Sequence, residues 1–196
     1  MSIEPTPRQE KTDETKRKLT QTAFALFAEY NYDVVTIDDI CKRAGLTKGA
    51  FYHNFGSKEN LVVLSYNRQL DEYITSHFAL EDTAPLSEQL YDLYMTVLDF
   101  AERMGKPATR RSYLAQINSC VYLKIPGRAY VDSLIALVDR GLRENAFRAP
   151  LSDIEAYMLL TGTFTGLLLE WSTHEEKPDI PDWRSLIRTQ LSLILA

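Results

Sequence analysis

Residues 36–61 read TIDDICKRAGLTKGAFYHNFGSKENL. Thr36 has the side chain of a helix N-cap, and Asp38 and Asp39 follow in the first turn, where the positive end of a helix favours acids. Ile37, Ile40, Cys41 and Ala44 recur at helical spacing and turn inward. Gly45 ends this short helix because glycine accepts the left-handed conformation beyond a helix end. Thr47 caps a second helix two residues later, and Gly56-Ser57 ends that one and caps the next. Phe51 and Phe55 lie four apart and share a buried face, so Lys48, Gly49, Tyr52 and His53 share the outer one. Two short helices joined by a glycine turn are the pattern of a helix-turn-helix.

Outward from this core the chain is helical almost everywhere. Residues 1–11 combine two prolines with mixed charge and read as a mobile N-terminal arm. Leu19, Ala23, Phe27 and Tyr30 mark an amphipathic helix over about 13–30. After Ser57 a long helix carries Leu61, Leu64 and Tyr66 into the seventies. Leu86, Leu90, Leu93, Val97 and Ala101 mark another, closed by Gly105, and an irregular one follows at about 109–122. Pro126 suits the start of a helix that ends near Asn145, a residue able to take positive φ. Ser152 to Glu155 is a capping box ahead of an apolar helix at 153–172, and Asp182 caps the last. The pattern predicts an all-α chain of about nine helices: an N-terminal three-helix DNA-binding domain at 12–60 and a helical effector-binding and dimerisation domain at 61–196.

Composition is that of a globular chain, with 45% hydrophobic and 25% charged residues among 196. No apolar run approaches the ~20 residues that cross a bilayer, and the first twenty residues are polar and charged, so a cytoplasmic protein without membrane contact is expected. The formal net charge of −5 hides an uneven distribution. Residues 1–60 hold nine basic and nine acidic side chains, and the window 40–58 holds Lys42, Arg43, Lys48 and Lys58 with no acid. Cys41 and Cys120 lie far apart with no second ligand at metal spacing, so neither a disulfide nor a metal is expected. His53, His77 and His174 are scattered, and no phosphate loop or nucleophile elbow is present, so neither an enzyme nor a cofactor is expected.

The segment at 36–61 resembles the DNA-binding signature of TetR-type (tetracycline-repressor-like) regulators. The Ala-Gly-Leu turn, the Tyr-x-x-Phe pair and the Ser-Lys-Glu cap occur together, and the resemblance spans about residues 12–65. It implies contact with double-stranded DNA, at a palindromic operator, through Thr47, Lys48, Tyr52 and His53, with Lys58 on a phosphate. The residue chemistry agrees: Lys48 and His53 suit base edges, Gly49 and Ala50 suit a thymine methyl, and Thr36, Arg17 and Lys18 complete the DNA-facing set. Asn54 departs from the family, which more often has histidine before the phenylalanine.

One recognition helix covers few base pairs, so a two-fold homodimer is expected, with heads ~34–36 Å apart. The resemblance implies a four-helix bundle from the last two helices, and their apolar residues Met158, Phe164, Leu168, Trp171, Trp183, Ile187 and Ile194 are the candidate interface. Tyr66, Tyr94, Arg103, Tyr113, Gln116 and Tyr122 suit a pocket for an amphipathic or aromatic small molecule, of unknown identity, whose binding releases a repressor from DNA. The alternative is a helix-turn-helix-derived protein-interaction module that does not bind DNA.

Overall fold

The computed structural model describes residues 6–119, 127–174 and 182–196. Among these are nine α-helices: α1 (Pro7–Glu29), α2 (Ile37–Ala44), α3 (Lys48–Asn54), α4 (Lys58–His77), α5 (Leu86–Met104), α6 (Lys106–Ser119), α7 (Ala129–Arg143), α8 (Asp153–Thr173) and α9 (Trp183–Ile194). No strand occurs among the described residues, and one antiparallel bridge pairs Phe147 with Leu195. The all-α expectation holds.

The caps read from the sequence are in place. Thr36 and Ser152 each form a capping box, and Thr47 and Asp182 each accept the backbone N–H of the third residue of their helices. Gly45 is left-handed at φ 63°, and Asn145 takes positive φ at 51°. The N-terminal arm is the exception. Helix α1 starts at Pro7, because Thr6 and Gln9 form a reciprocal capping box and proline is tolerated at the first helical position. Residues 6–11 are therefore helix or cap, and 1–5 lie outside the described residues.

The chain divides into two compact units: residues 1–65 with 115–121, and 66–114 with 122–196. The division falls inside α4 and inside α6, not at the expected 60/61. In the first unit Leu19, Ala23 and Leu26 of α1 bury against Ile40, Cys41 and Ala44 of α2, Phe51 of α3, Phe55 and Leu61. A smaller cluster joins Val62 and Val63 of α4 to Ala115 of α6, with Phe27 and Tyr32 packed on it.

The second unit has one core. Leu90, Leu93 and Tyr94 of α5, Leu134 and Leu137 of α7, Leu160, Phe164, Leu168 and Trp171 of α8, and Ile187 and Leu191 of α9 fill it. Four residues expected at a dimer interface are thus inside the protomer: Phe164, Leu168, Trp171 and Ile187. Trp183 and Ile194 pack partly against the same core, and only Met158 of the expected set is largely exposed. Helix α8 is apolar all round, so its sequence does not distinguish the face that meets α5, α7 and α9 from the opposite face.

Gly141 is buried in α7, and a Cβ there would lie 2.8 Å from Phe147 Cε2 and 2.9 Å from Leu86 Cδ2. This close approach explains a glycine inside a helix, where it otherwise costs ~1 kcal/mol. Gly141→Ala is expected to lose a net ~1–2 kcal/mol through overpacking, read as a lower urea midpoint for the second unit.

Candidate nucleic-acid interface

Helix α3 is a seven-residue element seated on its aromatic residues. Phe51 is fully buried, Phe55 follows at its C-cap, and their ring centroids lie 5.8 Å apart. Leu46 packs on the same cluster from the turn, and Leu46 N–H donates to Cys41 O at 2.9 Å, which ties α3 to the end of α2. Thr47 Oγ1 accepts from Ala50 N–H at 3.1 Å. With the aromatics inward, the outer face presents Thr47, Lys48, Gly49, Tyr52 and His53, all exposed; Tyr52 is 54% exposed. A Cβ on Gly49 would meet only Thr47 Oγ1, at 3.8 Å, so nothing inside the protein requires glycine there.

Two of the exposed basic side chains of the head pair with acids inside it. Lys48 Nζ lies 3.0 Å from Asp38 Oδ2, and the carboxylate raises the lysine's pKa. Arg43 forms a two-pronged pair with Glu29, at 2.6 and 2.5 Å. Thr36 is committed to its capping box: its hydroxyl donates to Asp39 Oδ2 at 2.6 Å, and these bonds lower the Asp39 pKa. Arg17 and Lys18 are exposed on α1. Asn54 Nδ2 donates to Ala50 O at 2.7 Å, while its Oδ1 is buried without a hydrogen-bond partner.

Lys58, expected on a phosphate, turns inward instead. Its ammonium donates to Tyr32 O and Val35 O, each at 2.9 Å, and lies 4.1 Å from the centre of the Tyr32 ring. Tyr32 Oη in turn donates to Glu59 Oε1 at 3.2 Å. The first turn of α4 thereby grips the turn between α1 and α2. Sequence reasoning missed Tyr32, and its only signal was an aromatic residue in the short segment between α1 and α2.

In the second unit, Tyr66, Tyr94 and Tyr113 lie in one region, joined by Tyr130 and Tyr157. Burial pushes the Tyr66 phenol up to about 12 against a hydrogen bond with Thr109, and it holds the Tyr94, Tyr113 and Tyr130 phenols well above their ordinary value, with neighbouring tyrosines adding to the effect. Tyr94 Oη donates to Leu160 O at 3.1 Å, and the Tyr94 and Phe164 rings stack at 4.2 Å. Tyr130 Oη and Thr161 Oγ1 are buried without hydrogen-bond partners; the threonine lies close enough to ease the phenol's ionisation slightly, but not in bonding geometry. Arg103 sits over Tyr73 at 5.4 Å. Gln116 falls in the first unit, and Tyr122 and Cys120 lie outside the described residues.

The chain is similar to known proteins. Residues 19–63 match the model for bacterial regulatory proteins of the tetR family. The Transposon Tn10 TetC protein of Escherichia coli is 30% identical over 176 residues, covering 88% of this chain and 87% of that one. The HTH-type transcriptional repressor KstR2 of Mycobacterium tuberculosis (strain ATCC 25618 / H37Rv) is 26% identical over 159 residues, covering 79% of each. The fold matches a TetR-family transcriptional regulator from Haemophilus influenzae RD with a TM-score of 0.61, at 19% identity, over 96% of this chain and 100% of that one.

Removing the Lys58 ammonium leaves two carbonyls of the α1–α2 turn without their donor. Lys58→Met is expected to destabilise the head by ~1–3 kcal/mol, seen as faster amide exchange in residues 31–35. Unchanged exchange there would show that the grip contributes nothing.

Proposed function

The chain belongs to the tetR family of bacterial regulatory proteins and is a DNA-binding transcriptional regulator, and from that premise we propose that it is a homodimeric, cytoplasmic repressor that a small-molecule effector releases from a palindromic operator. The observation that carries the reading is the outer face of α3. A cation, a phenol, an imidazole and a glycine whose Cβ position meets only Thr47 Oγ1 stand together on a helix anchored from beneath by Phe51 and Phe55. In the major groove, Lys48 and His53 reach base edges, Tyr52 and Thr47 donate to phosphates, and Gly49 and Ala50 let the backbone approach the bases. Arg17 and Lys18 extend the contact along the backbone, and Lys58 supports the head from within.

Dimerisation is supported by the outer face of α8. Ile154, Met158, Leu159 and Leu169 are 63%, 55%, 40% and 38% exposed, and Gly162 and Gly166 lie among them with nothing near their Cβ positions. A second helix packed on this stripe buries the apolar side chains and comes close at the glycines. Leu193 of α9, also exposed, extends the same kind of surface.

The effector reading rests on the buried tyrosines. Each unmade hydrogen bond at Tyr130 Oη and Thr161 Oγ1 costs ~1–3 kcal/mol, which a polar atom of a ligand would relieve, and the surrounding rings suit an uncharged aromatic or amphipathic body. Helix α4, which begins in the head at Lys58, continues as one element to His77. A coupling of ~1–3 kcal/mol along it changes DNA affinity ~5–150-fold.

Genomic fragments retained by the purified protein at moderate salt are expected to share a short palindrome; no fragment retained at any salt concentration would favour a protein-interaction module. Gly166→Glu, a substitution that α8 tolerates in the protomer, is expected to convert the dimer to monomers in sedimentation and to weaken binding to that palindrome at least tenfold. A dimer that survives it would move the interface away from α8.

A further inference from the structure

The second unit holds a cleft that neither the buried tyrosine cluster nor the outer face of α8 lines. It has a volume of about 250 Å³ and lies between the start of α5, the end of α9 and the segment that joins α7 to α8. Its floor is apolar: Leu191 and Leu195 are buried, and Tyr91 is half-buried. Two guanidiniums, those of Arg148 and Arg188, and the Ser87 hydroxyl stand around that floor.

Arg148 is held in place by the protein itself. Its backbone N–H donates to Ile194 O at 3.0 Å, beside the bridge of Phe147 with Leu195, and its Nε donates to Ser192 O at 2.9 Å. These bonds serve carbonyls at the end of α9 that the helix leaves without donors, a place that also favours a cation. Capping α9 thus explains the arginine's Nε but not its two terminal nitrogens, which have no partner among the described residues. Arg188 differs. Its guanidinium lies 3.7 Å from the centre of the Tyr91 ring, and its Nη1 is 3.3 Å from Glu88 Oε1. Glu88 lines the cleft as well and offsets Arg188, so Arg148 carries the unbalanced side-chain charge.

A planar carboxylate matches the parallel N–H donors of an arginine fork, and one unbalanced charge suits a monoanion. Leu191, Leu195 and Tyr91 accept an apolar body and disfavour a strongly hydrated dianion such as phosphate. We propose that this cleft binds a small monocarboxylate with a compact apolar body, held by the Arg148 fork with the Ser87 hydroxyl as a further donor. It is a ligand site separate from the buried tyrosines, and a molecule seated in it ties α5 and α9 to the segment ahead of α8.

The probe is sodium benzoate, titrated into the isotopically labelled full chain at constant ionic strength, with benzyl alcohol and inorganic phosphate as comparators. Benzoate is expected to shift the amide signals of Ser87, Tyr91, Arg148 and Leu191 saturably, with a dissociation constant on the order of 1 mM. Benzyl alcohol and phosphate are each expected to bind there at least about tenfold more weakly. Arg148→Gln is expected to weaken benzoate at least about tenfold, and Arg148→Lys, which keeps the charge without the fork, at least about threefold. Should either variant lower the urea midpoint, the comparison of the three probes on the unaltered chain decides alone. No saturation up to about 20 mM benzoate, or shifts confined to the surroundings of Tyr94 and Tyr130, would overturn the proposal. So would equal binding of the alcohol, or unchanged affinity in a stably folded Arg148→Gln. Phosphate that competes as well as benzoate would reduce the cleft to a general anion patch and overturn it too.

Discussion

A helix of seven residues has no stability of its own in water, since its nucleation cost is not recovered within two turns. Helix α3 exists because Phe51 and Phe55 are buried in the head, against Leu19, Ala23 and Leu26 of α1 and Ile40, Cys41 and Ala44 of α2. That burial sets the rotation of α3 about its axis, and the rotation determines which side chains face outward. The outward-facing set is thus a by-product of the aromatic anchor. With Phe51 and Phe55 placed, Thr47, Lys48, Gly49, Tyr52 and His53 have the outer surface left to them. The same dependence runs on to α4, whose first turn secures the α1–α2 turn through Lys58 and Tyr32.

Local signals were readable from the sequence, and they carried far. Caps at Thr36, Thr47, Ser152 and Asp182, the left-handed Gly45 and the positive φ of Asn145 each depend on a few adjacent residues, and each is found where the residues place it. One local signal is masked by its neighbours: Thr6 and Gln9 form a capping box, with a proline on either side of Thr6. What the sequence does not contain is the choice among equivalent faces. Phe164, Leu168 and Trp171 lie on one side of α8 and Met158, Gly162 and Leu169 on the other, and both sides are apolar. Only the arrangement of α5, α7 and α9 distinguishes them. The destination of a long side chain is equally invisible. Lys58 stands beside a helix N-terminus, as a phosphate ligand would, yet its four-carbon stem reaches two carbonyls more than twenty residues away.

The glycines show the same limit. Gly141, Gly162 and Gly166 all interrupt helices and look alike as letters. In the fold, Gly141 is pressed against Phe147 and Leu86, while Gly162 and Gly166 face open space. The first is required by packing within the protomer. The other two cost helix stability with no packing inside the protomer to offset it.

The grip of Lys58 has a consequence for how such a head can vary. Its two acceptors are main-chain carbonyls, which every residue possesses, so the hold on the α1–α2 turn does not depend on which side chains stand at Asp33 and Val34, both exposed. Those positions are released from structural duty. Side chains there are free to diverge, and a surface beside the start of α4 can acquire new chemistry while the geometry of the head stays fixed.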